Sequence, residues 1–390
     1  MDVKQIYSIV NDISKEVLGK DELLVEDLSN IVDLGTEIFN QNAVDNYVKS
    51  LVNHIGKVVF VNRPYSGKVP SVLMDAWEFG SVLEKISADV PDAEENNTWD
   101  LTDGTEYKQD VFHKPTVTAK FFNSKVTFEV PVSITERQVK ESFSNAAQLN
   151  GFISMIYNAV EKSMTIKADA LIMRTINNMI AETLHADAAA FGGAGSEDYT
   201  SASTARCVNL LKLYNDNTGK SLTADKAITD PDFIRFASYT MGTYSDRLQS
   251  ISSVFNVGGK PRFTPKDMLH TVLLSDFAKA AQTYLYSDTY NRTDVLLPNA
   301  ETVPFWQGSG TKYNFDSTGH ITVKCASGVN IEISGVLGVM FDRDALGVCN
   351  LDRRVTTNYN AKAEFFNNYY KFDAGYFNDT NENFVVFFVA

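Results

Sequence analysis

Five histidines, three cysteines and 49 acidic residues are the raw material from which this chain could build a reaction centre. His54, His113, His185, His270 and His320 are scattered, with no HxH or HxxxH pair and no cysteine beside any of them. A bound metal needs convergent ligands, and this spacing supplies none. Cys207, Cys325 and Cys349 contain no CxxC, and an odd count is a poor disulfide framework, which points to a reducing compartment. "YNDNTGKS" (214–221) ends like a phosphate-binding loop, but Tyr214 stands where that pattern needs its first glycine. The preceding "RCVNLLKLY" has helical spacing where a strand is required. "FGGAG" (191–195) lacks the GxGxxG spacing, and no GxSxG elbow presents a serine. "DRD" (342–344) reads as a charged turn between two strands, and "LDRR" (351–354) as a local ion-pair element. The expectation is no catalytic residue, no cofactor, no metal, and a protein that is not an enzyme. Catalytic groups need not be neighbours in sequence, so a soluble α/β enzyme with a non-local site stands as an alternative.

Without local chemistry, the elements carry the reading. The chain has 390 residues, 44% of them hydrophobic and 12% aromatic, enough for a sizeable core and more than one simple compact domain holds. A net charge of −14 gains nothing from a phosphate backbone. No run approaches the 18 apolar residues of a membrane span, and the first residues, "MDVKQIYSIVNDISKEV", lack the basic and apolar regions of a secretory signal.

Residues 1–55 are amphipathic at helical spacing, with Ile6, Ile9 and Val10, then Val44, Tyr47, Val48, Leu51 and Val52. "KVVFV" (57–61) reads as a strand. Residues 84–110 carry nine Asp or Glu against Lys85 and Lys108, the composition of a solvated loop, yet they include Trp99, Leu101 and Tyr107. In 117–135, Val126, Phe128, Val130 and Val132 alternate with polar positions, and Pro131 assigns the strand to a sheet edge. Paired with "KVVFV", that strand would form a long hairpin tipped by the acidic stretch. A helix is predicted over 146–182, where apolar residues step by three or four without a proline. Asp230 and Pro231 read as the cap and first residue of another helix, followed by a buried strand at 267–275. The aromatic tail reads as two strands joined by the turn "NDTNEN" (378–383), closing on "FVVFFV" (384–389) as a covered core strand.

The order of these elements resembles the major capsid proteins of tailed bacteriophages, the Hong Kong ninety-seven-type fold. "GVLGVMFDRDALGVC" (335–349) is similar to the family's strand–turn–strand phrase, and "FFNNYYKFDAGYFNDTNENFVVFF" (365–388) to its terminal hairpin. "NAVDNYVKSLVNHIGKVVF" (42–60) and "GFISMIYNAVEKSMTIKADALIMRTINN" (151–178) resemble the arm and spine helix of short-tailed phages of the phi-twenty-nine type.

The resemblance implies an α+β fold with an N-terminal arm (1–56) and an extended E-loop hairpin (57–125). It also implies a P-domain (126–227 and 333–390) with a long spine helix and a sheet, and an inserted α/β A-domain (228–332). The implied function is self-assembly, through hexamers and pentamers, into the icosahedral shell enclosing the double-stranded DNA of a tailed phage. The implied partners are a scaffolding protein, a portal protein at one vertex, and packaged DNA bound without sequence specificity, with no membrane. Assembly would occur in the host bacterial cytoplasm, and the product is the virion capsid. The chain starts directly at its arm, which implies a separate scaffolding protein. Lys108 and Asn360 match the family's cross-linking elements by position only, so a Lys–Asn cross-link is not among the expectations. Trp99, Leu101 and Tyr107 are the expected apolar anchors between subunits, with Glu94, Glu95 and Asp103 seeking cations on a neighbour. An encapsulin-like cellular nanocompartment shares the fold and is the nearer alternative.

Overall fold

The computed structural model describes residues 3–19, 24–41, 43–61, 69–74, 83–88, 91, 93, 95, 99–107, 112–192, 199–286, 300–307 and 318–390. In chain order these form α1 (Val3–Leu18), α2 (Ile31–Asn40), α3 (Val44–Val61), β1 (Leu73–Met74), β2 (Leu83–Ala88), β3 (Val117–Phe122) and β4 (Lys125–Thr135). Next come α4 (Glu136–Ser142), α5 (Ala146–Ala186), β5 (Cys207–Asn209), α6 (Leu210–Thr218), α7 (Ala224–Ala227), α8 (Pro231–Leu248), β6 (Leu269–Leu274) and α9 (Ser275–Tyr286). Strands β7 (Ala300–Val303), β8 (Ile321–Lys324), β9 (Asn330–Ile333), β10 (Val336–Asp342), β11 (Leu346–Asn360), β12 (Phe365–Asn378) and β13 (Phe384–Phe388) complete the chain. Two compact units result. The first joins Met1–Glu78, Lys125–Ile172 and Val348–Gly375; the second joins Phe79–Ser124, Met173–Gly347 and Tyr376–Ala390.

In the first unit the apolar stripe of α1 (Ile6, Ile9, Val10, Ile13) and that of α3 (Tyr47, Val48, Leu51, Val52, Ile55) are buried in one core. The same core takes Phe152, Ile153, Ile156, Val160 and Met164 from α5, and Phe366, Tyr370 and Phe372 from β12. "KVVFV" is not a strand: α3 runs on to Val61, and Val58, one helical step beyond Ile55, packs on this core. The helical period wins because the residues before it already bury that stripe. The unit's sheet has the order β1-β11-β12-β4, so β4 is an edge strand and Pro131, opposite Tyr369, sits where a missing N–H is tolerated. Thr135 ends β4 and caps α4 in a reciprocal box, receiving the Gln138 N–H while the Gln138 side chain receives its own. The predicted spine helix is present as α5, 41 residues long.

The second unit is built on a five-stranded mixed sheet, β5-β13-β10-β6-β7. β13 lies inside it, parallel to β5 and antiparallel to β10. Its uninterrupted apolar run feeds both faces: Val385, Phe387 and Val389 join the core of α6 and α8, while Phe384 stacks on Phe341 and Phe388 meets Phe191 and Tyr199 edge-on. The covered terminal strand is present, but the terminal hairpin is not. β12 pairs with β11 and β4 in the first unit's sheet, so the 378–383 turn hands the chain from one sheet to another. Gly338 allows the β10–β6 approach, since a Cβ there would lie 2.7 Å from Leu273 Cδ2 and 2.9 Å from the Val272 carbonyl oxygen. Asp230 caps α8 by accepting from the Phe233 N–H at 2.9 Å. "NTGKS" is a helix stop, with Gly219 left-handed at φ +69° and Lys220 bonded to the Tyr214 hydroxyl and Asp232.

Candidate assembly surface

The acidic stretch rises from a two-stranded antiparallel hairpin, β2 with β3, in register from Leu83 opposite Phe122 to Ala88 opposite Val117. Its two faces differ in an unusual way. Period-two alternation would turn Val117, Ala119 and Phe121 inward as the apolar face. The structure does the reverse: Phe121 is 64% exposed, Ile86 is 65% exposed, and Val117 is also exposed. The half-buried face carries Leu83, Lys85, Ser87, Thr118, Lys120 and Phe122.

Lys85 and Lys120 are direct cross-strand partners, a repulsive pairing if left alone. Asp379 lies against both, 3.0 Å from the Lys85 Nζ and 2.9 Å from the Lys120 Nζ, with its side chain 2% exposed. Glu382 takes a second contact from Lys85 at 2.8 Å and one from the Arg262 Nε at 3.4 Å. Lys85 also donates to the Asp344 carbonyl oxygen at 3.3 Å, and Phe122 packs on Phe377 with ring centroids 5.2 Å apart. The socket is rigid because its backbone is tied: the Asp379 N–H donates to the Ala345 carbonyl oxygen, the Asn381 N–H to the Asp379 carboxylate, and the Gly258 N–H to the Thr380 carbonyl oxygen. The 378–383 turn is therefore the root into which the hairpin is locked.

The electrostatics follow from burial and pairing. Burial pushes the Asp379 carboxyl up, but the Lys120 bond and the Lys85 charge outweigh it and hold it below the ordinary carboxylate value. At Glu382 burial prevails over Lys85 and the carboxyl is raised. Burial alone would lower the Lys85 ammonium, but Glu382 and Asp379 raise it. Asp342, in the predicted "DRD" turn, is raised by burial against bonds from the Asp344 N–H and the Thr264 hydroxyl.

Beyond the hairpin, Trp99 is 99% exposed, and Leu101, Tyr107 and Phe112 are exposed large apolar side chains as well. Glu95 and Asp103 are exposed; Glu94 lies outside the described residues. A local turn shapes the segment. The Thr105 N–H donates to the Thr102 carbonyl oxygen, Gly104 is left-handed at φ +79°, and the Tyr107 hydroxyl accepts from the Thr102 N–H at 3.1 Å. Of the sequence-predicted residues, Glu95, Trp99, Leu101, Asp103 and Tyr107 are described, and all are exposed. Sequence reasoning missed Ile86, Val117 and Phe121, and it paired the hairpin with "KVVFV" instead of β2. Lys108 lies outside the described residues, and the Asn360 side chain accepts the Lys362 and Ala363 N–H groups.

Among the described residues no group of His, Cys, Asp or Glu could hold a metal ion, and no helix is long and apolar enough to cross a membrane. The three cysteines are buried and unbridged. Arg354 of "LDRR" pairs with Asp352 at 2.9 Å and Asp373 at 2.8 Å.

The profile of the Phi29-like phage major capsid protein family matches residues 7–388. Among solved structures, a chain of the capsid of Staphylococcus phage Andhra superposes with TM-score 0.52 at 9% identity, covering 83% of this chain and 84% of that one. A chain from the structure of head fiber and inner core protein gp22 of native bacteriophage P68 gives 0.50 at 8% identity, covering 83% and 85%. At such identities the likeness shows the fold alone. No curated protein matches the sequence. With the family match spanning almost every element above, the chain belongs to the Phi29-like phage major capsid proteins, shell-forming structural proteins of the virion capsid with the Hong Kong ninety-seven-type fold.

Proposed function

We propose that the β2–β3 hairpin and the 95–107 loop are the arm by which one capsid subunit grips the next. The observation that carries this is the inverted hairpin, whose charged face is locked into its own subunit while its apolar face, Ile86, Val117 and Phe121, is left in water. Exposed apolar surface of this kind marks a contact made elsewhere. Many such modest contacts, repeated around a closed shell, add through multivalency. On this reading the layout is the expected one, arm 1–56, extended loop 57–125, P-domain 126–227 with 333–390, and A-domain 228–332, except that the arm's last helix, α3, runs past the first boundary to Val61. The shell is icosahedral, built from hexamers and pentamers on a scaffolding protein in the host cytoplasm, with a portal at one vertex. Its net charge of −14 suits a container that does not glue double-stranded DNA to its wall.

Assembly followed by light scattering and negative-stain microscopy tests the arm. Trp99→Ala removes the most exposed anchor, and a well-packed interface tryptophan contributes about 2 kcal/mol or more. The critical concentration for assembly should rise roughly thirtyfold, with the thermal midpoint of the subunit unchanged. Assembly of the wild type should also weaken from low to high salt, as screened rim charges require. Wild-type assembly by the Trp99 variant, or a salt-independent curve, counts against the respective contact.

A further inference from the structure

Strand β6 reads Leu-His-Thr-Val-Leu-Leu and is an interior strand, paired with β10 on one side and β7 on the other. A strand covered on both faces is normally an unbroken apolar run. His270 and Thr271 interrupt this one, and their side chains leave to opposite faces. Leu269 and Leu273 lie in the core with α8 and α9, so Thr271 shares their face and His270 takes the other. There the His270 ring meets Phe341, its register partner on β10, with centroids 6.0 Å apart. Phe341 stacks in turn on Phe384 of β13. The imidazole is thus the outermost ring of an aromatic row that crosses three strands.

Both ring nitrogens of His270 are buried without a hydrogen-bond partner among the described residues, and so is the Thr271 hydroxyl. Buried polar atoms are nearly always paired, so this is a weak place in the sheet. Protonation makes it weaker. The neutral ring leaves one N–H and one lone pair unmet, whereas the imidazolium brings two N–H groups and a full charge. Phe341 offers little relief, since its centroid lies at the limit of about 6 Å for a cation over a ring.

The charged neighbours do not compensate. Asp342 stands opposite Leu269, and its carboxylate already accepts from the Thr264 hydroxyl at 2.7 Å and the Asp344 N–H at 2.9 Å. Arg343, beside it, repels a second cation. On β7, Glu301 stands opposite Val272, two places along. Helix α9 brings Asp276, which accepts from the Thr318 hydroxyl at 2.9 Å, and Lys279, but it packs with α8 on the face that His270 does not share. Burial, with Arg343, therefore outweighs Asp342 and holds the imidazole below the ordinary histidine value.

We infer that His270 is an acid-sensitive pin in the second unit's sheet, and that a proton on its unpartnered ring loosens β6 from β10. The pin lies within one subunit and acts whether or not the hairpin is an arm. Its sign follows from linkage. The folded ring binds a proton less readily than the unfolded chain does, so the sheet is at full strength above the ordinary histidine value of about 6.5. It weakens as pH falls through that value and levels off only below the lowered one. The β2–β3 hairpin is held by carboxylates and keeps its protection over the same window, so the sheet loosens first.

The test is amide hydrogen exchange of the full-length chain from about pH 8 to about pH 5, corrected for the intrinsic exchange rate. Opening of β6 and β10 should increase at least roughly threefold across that range, with β2 and β3 unchanged. His270→Phe, which continues the aromatic row, should abolish the increase and raise the thermal midpoint most at the acid end. His270→Gln stays polar but does not titrate. It should abolish the increase without that gain, and it carries the test if the Phe variant does not fold. Deuterium exchange at the imidazole C2 carbon, read by mass spectrometry, gives the titration of the ring itself, which should fall below the ordinary histidine value. An ordinary or raised titration at His270 overturns the pin. So does an acid-side increase in β6 and β10 that survives in His270→Gln, since another group would then be taking the proton.

Discussion

A chain shortened by residues 384–390 should fail to fold its second unit rather than lose a tail. β13 is an interior strand whose five residues are all buried, and Val389 beyond it is 2% exposed. Each buried Val or Phe side chain is worth about 1.5–3 kcal/mol in area removed from water. Six of them sum to roughly 9–18 kcal/mol, at or above the about 5–15 kcal/mol that holds a domain folded. The deletion also strips β5 and β10 of a shared partner and exposes unpaired edges inside the sheet. The measurement is circular dichroism and solubility after expression, with hydrogen exchange on any soluble fraction. A truncated chain that stays soluble, protects β6 and β10 and assembles would refute this account of the sheet.

The second large effect is expected at Asp379. Changing it to Asn leaves Lys85 and Lys120 facing one another across the hairpin with their shared buried anion gone. Breaking a buried pair costs about 3–5 kcal/mol, and the partial exposure of both lysines, 24% and 32%, puts this case near the lower end, about 3 kcal/mol. The loss is local, so amide exchange in β2 and β3 and proteolysis of the 95–107 loop should accelerate before β13 is affected. pH supplies a second reading. The folded Asp379 carboxyl lies below its ordinary value, so its contribution is complete above the ordinary carboxylate range and is lost as pH falls through the lowered value. Glu382, raised by burial, takes its proton first, and the folded state binds that proton more readily than the unfolded chain does. Hairpin protection should therefore persist through mild acid and fall only below the ordinary aspartate range. Asp379→Asn should abolish that acid-side fall. Unchanged exchange in the variant would show that the hairpin is held by Phe122 on Phe377 instead.

What was legible in the sequence was legible because it is local. The long apolar period announced α5, the Asp230–Pro231 pair announced α8, and the unbroken run at 384–389 announced a strand covered on both faces. Trp99, Leu101 and Tyr107 stood out as apolar residues that an acidic loop does not need for itself. The failures came where a distant partner decides. "KVVFV" satisfies both periods over five residues, and only the stripe running into it from Ile55 settles it as helix. A polar turn between two strands suggests a hairpin, yet the strands on either side of 378–383 belong to different sheets. The inverted hairpin was illegible for the same reason: Lys120 turns inward because of Asp379, 259 residues later.

The central claim, that the outer face of the hairpin is an interface between subunits, is tested most directly by thiol protection at position 121. Phe121→Cys places one reactive thiol on a side chain that is exposed in the single chain, against native cysteines that are buried. Maleimide labelling should be fast in dissociated subunits and at least roughly tenfold slower in assembled shells, as burial in a packed interface excludes the reagent. Equal labelling rates in subunits and shells would mean that this face stays in water in the capsid, and the hairpin would then not be the arm.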